Sequence, residues 1–352
     1  MKLGTVTLFG SGETSLTGGR VFEALARQSP QPPDIVILET PAGFEVNAGR
    51  VAGRIADFLA ARLHNFHPRI TQVAARAKDT PLSPDSPEVI APLYASNLIF
   101  LGPGSPTYAV RQLRDSLAWH ALQARHRLGA HLVFASAAAI AAGAQALPVY
   151  EIYKAGEDLH WKPGLDFFAP FGLSLVIIPH WNNQDGGAEL DTSRCFMGQS
   201  RFETLLGMLP AGMSVLGIDE QTCVSIDLAS GACGVAGLGG IHVLQGQQAQ
   251  DFASGSQFPI CTLGAYRPLQ DAAAGLLPAV WDQAVRDVPP APARRDTNEI
   301  PPELRRLIDE RQAARGARDW PRADQLRREI TAMGWEVVDT PDGPELHPLE
   351  HR

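Results

Sequence analysis

The sequence predicts an α/β protein: a three-layer domain on a mostly parallel sheet, followed by a small module of two helices and a hairpin. Three observations carry that reading. Short apolar runs alternate with longer amphipathic stretches from residue 1 to about 285. Several of the runs are almost continuously apolar, as strands covered on both faces of a sheet must be. The composition then changes abruptly beyond a proline-rich stretch near residue 286.

The apolar runs are 5–9, 34–38, 97–101, 131–135, 174–178 and 213–218. Between them, stretches near 19–28, 46–63, 107–127 and 197–208 read as helices, which gives βαβ units. Functional groups in such sheets gather at the carboxyl ends of the strands. Residues 286–301, rich in proline, read as a semi-rigid linker. Past it, 302–315 and 321–333 read as two short helices. In the second, Ala323, Leu326, Ile330 and Met333 share one face, and Gly334 stands where a C-terminal cap belongs. Segments 336–339 and 345–347 flank Pro341-Asp342-Gly343, a hairpin turn. The expected division is therefore 1–285, 286–301 and 302–348.

Of 352 residues, 45% are apolar and 19% charged, enough to fill a large core and to exclude disorder as a description of the whole. The net charge of −8 repels nucleic acid and anionic membranes in bulk, so any RNA contact has to come from a local patch. The N-terminus has too short an apolar run for a signal peptide. The longest weakly apolar stretch, 132–147, is broken by Ser136, Gly143 and Gln145, so no membrane association is expected. Cys195, Cys223, Cys233 and Cys261 are far apart without a C-x-x-C pair, which suggests reduced thiols in the cytoplasm. His64 and His67 lack further ligands nearby, and neither a metal nor another cofactor is expected.

Three strand ends could carry chemistry. Residues 131–141 run as a strand through Ser136 into an alanine-rich helix, a context that exposes a nucleophile at a helix start. Ile177-Ile178-Pro179-His180-Trp181-Asn182-Asn183 puts a histidine just after a strand, and Leu216-Gly217-Ile218-Asp219-Glu220 puts two acids there. Serine, histidine and acid in that order can form a base-activated nucleophile once folding brings them together. Asn182, Asn183, Arg194 and Arg201 lie on or beyond the histidine loop and are candidates to bind a substrate carboxylate. Cys195 reads as a buried small hydrophobe.

These segments together resemble the serine peptidase family of cyanophycinase and peptidase E, over roughly residues 3–245. Leu8-Phe9-Gly10-Ser11-Gly12-Glu13 is similar to its opening glycine-rich loop, and Phe100-Leu101-Gly102-Pro103-Gly104-Ser105-Pro106-Thr107 to its oxyanion turn. Gly217-Ile218-Asp219-Glu220-Gln221-Thr222 is close to a Gly-Ile-Asp-Glu-x-Thr signature, and Pro179-His180 is closer to the Pro-His of peptidase E. The resemblance implies a class I glutamine amidotransferase-like (flavodoxin-like) fold. It implies Ser136 as nucleophile, His180 as general base, Glu220 as the orienting acid, and the amides of Gly104 and Ala137 as oxyanion donors. The family's elbow is Gly-x-Ser-Ala-Gly, whereas this chain has Phe134-Ala135-Ser136-Ala137-Ala138. If Phe134 filled the space between Ser136 and His180, the domain would be a lapsed scaffold.

The tail is similar to something else. Leu307–Arg315 (numbered 307–315), then 319–327, Met333-Gly334 and 338–343 resemble the C-terminal segment of cysteinyl-tRNA synthetase; nothing upstream resembles a synthetase. Eight arginines fall between Arg305 and Arg328, matched by acids. Arg311, Arg315, Arg318, Arg322 and Arg327 are the candidates for RNA phosphates that the resemblance implies. Two functions follow as expectations: a serine hydrolase cleaving a small peptide or amide, or a lapsed scaffold that binds tRNA, another RNA or a partner through its tail. Self-association into a homo-oligomer is compatible with both.

Overall fold

The computed structural model describes residues 3–30, 32–287, 302–317, 319–333, 335–340 and 343–348. The chain divides into two compact units, Met1–Pro289 and Pro290–Arg352. The expected linker falls almost wholly outside the described residues.

In the first unit, β1 (Val6–Phe9) leads through α1 (Leu16–Gln28) to β2 (Asp34–Leu38), and α2 (Ala48–Arg62) leads to β3 (Arg69–Val73). Helix α3 (Pro87–Ala95) precedes β4 (Leu98–Leu101), and α4 (Pro106–Leu113) and α5 (Leu117–Arg127) precede β5 (His131–Ala135). Serine hydroxyls cap four of these helices: Ser15, Ser86, Ser105 and Ser116 each accept from a backbone amide three residues on. Ser116 also explains why the single helix expected over 107–127 is two. The chain turns at Asp115, with φ of 58°, and the serine cap starts a new helix.

The chain continues through α6 (Ala137–Ala142), β6 (Gln145–Ala146), α7 (Val149–Tyr153), β7 (Lys162–Pro163), β8 (Leu175–Ile178), α8 (Gly198–Gly207) and β9 (Ser214–Ile218). It then runs back and forth through β10 (Thr222–Asp227), β11 (Ala232–Gly237), β12 (Gly240–Gln245), β13 (Gln248–Ala253) and β14 (Gln257–Pro259), and α9 (Pro278–Arg286) follows. Two sheets result. The larger has the order β14-β11-β10-β1-β5-β4-β2-β3, and its five strands from β1 to β3 are mutually parallel. The smaller has the order β13-β12-β9-β8-β6-β7, with β6, β8 and β9 parallel. The sequence reading did not separate the second sheet from the first.

Alternation within the parallel strands explains their apolar sequences. Leu8, Val36, Leu38, Ile99, Leu101, Leu132 and Phe134 enter one core. Phe9, Ile35, Ile37, Leu98, Phe100, Val133 and Ala135 enter another, on the opposite face. Strand ends meet accordingly: Phe9 pairs with Ala135 between β1 and β5, and Ile178 pairs with Gly217 between β8 and β9. The loops bearing Ser136, His180 and Glu220 all leave at these carboxyl ends.

The second unit comprises α10 (Pro302–Gly316), α11 (Trp320–Ala332) and a hairpin of β15 (Trp335–Thr340) and β16 (Gly343–Pro348). Leu304, Leu307, Ile308, Ala314, Ala323, Leu326, Ile330 and Val337 form its core. Asp319 caps α11 by accepting from the Arg322 amide. Met333, expected on the buried face, instead ends the helix and is exposed. Gly334 and the turn residues Pro341 and Asp342 lie outside the described residues.

Candidate active site

Ser136 sits between β5 and α6 with φ of 52° and ψ of −114°, a conformation that non-glycine residues seldom adopt and that costs of order 1–3 kcal/mol. Its amide donates to the Phe9 carbonyl at 3.1 Å, which ties the bend to β1. Its Oγ lies 2.9 Å from His180 Nε2, and His180 Nδ1 lies 3.1 Å from Glu220 Oε1. His180 itself has φ of 51°. Two strained residues thus face each other across a hydrogen bond. Backbone strain of this kind collects where a side chain must be aimed.

Glu220 is fixed from two sides. Asn183 Nδ2 donates to the same Oε1 at 2.8 Å, and the Glu220 amide donates to Asn182 Oδ1 at 2.8 Å. The glycine-rich loop after β1 braces the same turn: the Gly10 amide donates to the Thr222 carbonyl, and Ser11 Oγ accepts from the Gln221 amide at 3.0 Å. Gly104 packs against the Pro41 backbone. Its φ is 152°, and a Cβ there would lie 2.0 Å from the Pro41 carbonyl oxygen, so only glycine fits. Ala137, the first residue of α6, is buried.

Phe134 does not enter the space between Ser136 and His180. Ser136 Oγ and His180 Nε2 meet directly at 2.9 Å, while the Phe134 ring packs in the core, 6.4 Å from the Trp119 ring and 5.8 Å from that of Phe167, and is 1% exposed. The aromatic residue fills the core shared with Trp119 and Phe167.

The loop after the histidine contains three consecutive left-handed residues, Arg194, Cys195 and Phe196, with φ of 56°, 58° and 67°. This turn lays the Phe196 ring 5.9 Å from the His180 ring and the Arg194 guanidinium 4.0 Å over the Trp181 indole. Arg201 fastens it, donating to the carbonyls of Met197 at 2.6 Å and Phe196 at 2.9 Å. Asp191 also holds the loop, accepting from the Ser193 and Gln199 amides. The Ser193 hydroxyl, then the Gln199 and Ser193 amides, lower its carboxyl to about 2. Cys195 is buried, and that burial, with the charge of Glu220, pushes its thiol up to about 12.

The four substrate-binding candidates therefore divide. Asn183, 2% exposed and bonded to Glu220, and Arg201, bonded to its own loop, point into the protein rather than toward a ligand. Asn182 is exposed and Arg194 half-buried. A residue that sequence reasoning left without a role is Glu13, within electrostatic reach of His180. Burial raises its pKa, partly offset by its own backbone amide and by the charge His180 can carry. Its position in the opening glycine-rich loop was the available signal. Beside the Gly104 turn lies a cavity of about 920 Å³, lined by Phe44, Ser105, Tyr108, Tyr150, Glu151 and Lys162 among others. Among the described residues, no cluster of three or more His, Cys, Asp or Glu could hold a metal, and no helix is long and apolar enough to cross a membrane.

In the second unit the arginines also divide. Arg311 is 3% exposed and belongs to the interior, which corrects its assignment as a phosphate contact. Arg315 lies over the Trp320 ring at 5.9 Å, Arg322 pairs with Glu310 at 3.2 Å, and Arg327 is exposed. Arg318 lies outside the described residues.

Comparison with known proteins treats the two units differently. The structure is similar to that of a peptidase from an acI-B1 Actinobacterium, with a TM-score of 0.59 and 18% identity, covering 73% of this chain and 97% of that one. That likeness shows the fold, an α/β class I glutamine amidotransferase-like fold. Residues 297–343 match the family model of the cysteinyl-tRNA ligase anticodon binding domain. Relatives include cysteine–tRNA ligase 1 of Burkholderia lata, 31% identical over 88 residues, which are 20% of this chain and 19% of that protein. A cysteine–tRNA ligase of Phenylobacterium zucineum is 60% identical over 37 residues, 10% of this chain and 8% of that protein. The chain thus spans less than a fifth of the length of these curated relatives, within its C-terminal region.

Proposed function

We propose that the first unit is a serine hydrolase that cleaves a small peptide or amide. The observation that carries this reading is the continuous array from Ser136 Oγ through His180 to Glu220, at 2.9 and 3.1 Å. The hydroxyl attacks the substrate carbonyl while His180 Nε2 takes its proton, and Glu220 holds the imidazolium. The amides of Gly104 and Ala137 receive the oxyanion. His180 then protonates the leaving amine, and water, deprotonated by the same nitrogen, releases the acyl group from Ser136. Asn182 and Asn183 serve by orienting Glu220. That the similar structure is of a peptidase supports the coarser reading of a hydrolase. A fluorophosphonate probe should label the wild-type chain and Ser193→Ala but not Ser136→Ala. No labelling, with no amidase activity across a peptide library, would sink the reading.

A second reading concerns the tail. The match over 297–343 supports tRNA as the partner of a module spanning 302–348, joined to a 1–285 hydrolase domain through 286–301. Arg315, Arg322 and Arg327 are its candidate phosphate contacts, together with Arg318. A tRNA partner and unpaired cysteines fit the cytoplasm. Binding should weaken steeply with salt and vanish on truncation at about residue 296. Equal binding by the truncated chain would overturn it.

A further inference from the structure

Trp181 directly follows His180, and Asp219 directly precedes Glu220. Both meet one side chain that the proposed mechanism does not use. His242 lies on β12, opposite Gly217 of β9 and Asp251 of β13. Its ring stacks on the Trp181 indole, 5.3 Å between centroids and 18° between planes. Its Nε2 lies 3.2 Å from Asp219 Oδ1 and its Nδ1 2.8 Å from Asp251 Oδ1. A ring with a carboxylate at each nitrogen satisfies both by donating from both, which requires the imidazolium.

Both contacted residues are otherwise fixed to the frame of the smaller sheet. The second Asp219 oxygen accepts from the Gly240 amide at 2.8 Å, and the Trp181 amide donates to the Ile218 carbonyl at 3.0 Å. Arg194 donates to the Trp181 carbonyl and lies over its indole. The indole has room because residue 217 is glycine; a Cβ there would lie 2.5 Å from the ring. The charged groups facing His242 are therefore Asp219 from the β9–β10 turn, Asp251 from β13, and Arg194 across the shared indole. Burial opposes the charge on His242, but the two carboxylates outweigh it and raise its pKa. Burial likewise works against the Asp219 carboxylate, and His242, the Gly240 amide and Arg194 together lower its pKa.

We propose that His242 is a positioning residue, a clamp that holds Trp181 and Asp219 and thereby sets the distance between His180 and Glu220. Its effect on rate rests on the serine hydrolase reading above; its effect on the His180 ring does not. The sign follows from a raised histidine pKa: the clamp is complete below the ordinary histidine value and is lost as pH rises through the raised one.

The experiment compares the full-length wild type, His242→Gln and Asp251→Asn, with melting temperatures to establish folding. Fluorophosphonate labelling rates are measured across pH, and the imidazole nitrogens are followed by proton–nitrogen correlation spectra. Wild-type labelling should rise and then fall at alkaline pH. His242→Gln should be about tenfold slower near neutrality and lack the alkaline fall, since small misplacements of reacting groups are costly. Asp251→Asn should move the fall to lower pH. The His180 ring resonances should shift in folded His242→Gln. A folded His242→Gln with the wild-type rate profile, or with unmoved His180 resonances, overturns the clamp. A wild type that never labels overturns the hydrolase reading instead, and the His180 resonances then decide the clamp alone.

Discussion

The two units reveal themselves by opposite means. In the second, an unbroken stretch carries the likeness, reaching 60% identity to a cysteine–tRNA ligase over 37 residues. In the first, identity to the similar solved structure is 18%, and the parts of the site lie 44 and 40 residues apart in the chain. The tail's likeness is read from consecutive residues, whereas the Ser136, His180 and Glu220 array is read from geometry.

Breaking the geometry should produce the largest effects. Ser136→Ala should abolish fluorophosphonate labelling, and Glu220→Gln should slow it by about 10³–10⁴, because the histidine loses its orienting charge. Labelling kinetics check both, and a Glu220→Gln rate near wild type would detach Glu220 from the array. Phe134→Gly, which restores the family's elbow glycine, should cost about 3–5 kcal/mol of stability by emptying the Trp119–Phe167 core. The folded fraction should still label at close to the wild-type rate. A gain in labelling would mean that Phe134 does obstruct the site.

The second unit should respond more gently. Arg327→Glu should weaken tRNA binding several-fold at low salt and flatten its salt dependence, whereas Arg311→Glu should unfold the unit because the side chain is buried. Binding titrations at several salt concentrations, with circular dichroism, separate the two. The smallest effect concerns Asp191, whose carboxyl holds the Gln199 amide in the first turn of α8 and the Ser193 amide of the loop before it. Asp191→Ala should cost about 0.5–1 kcal/mol, as the loss of a cap does. Since its pKa is lowered, the carboxylate's contribution is present above the ordinary aspartate value and is lost as pH falls toward about 2. Acid-unfolding curves of the two proteins should converge at the low end.

The parallel strands were legible because burial on both faces leaves a continuous apolar run. Strand β3 was not: Arg69, Ile70, Thr71, Gln72 and Val73 form an edge, mostly exposed or half-buried. The antiparallel strands from β10 to β14 were missed for a related reason. β10 is buried on both faces but is broken by Thr222, Ser225 and Asp227, whereas β11 to β13 bury one face at most and are interrupted by polar residues and glycines. Ser136, His180 and Glu220 stood out because each follows an apolar run. His242 could not, since its partners Trp181, Asp219 and Asp251 come from three separate segments. The elbow shows the limit of motif reading. Phe134 departs from the pattern, yet its ring packs against Trp119 and Phe167 and leaves the Ser136–His180 hydrogen bond intact.

The central claim is that Ser136 is a nucleophile activated by His180 and Glu220. Mass spectrometry of the full-length chain after fluorophosphonate treatment tests it most directly. The account predicts one adduct per chain, mapped to Ser136 and absent from His180→Ala. No adduct, or one on any other residue, would contradict it.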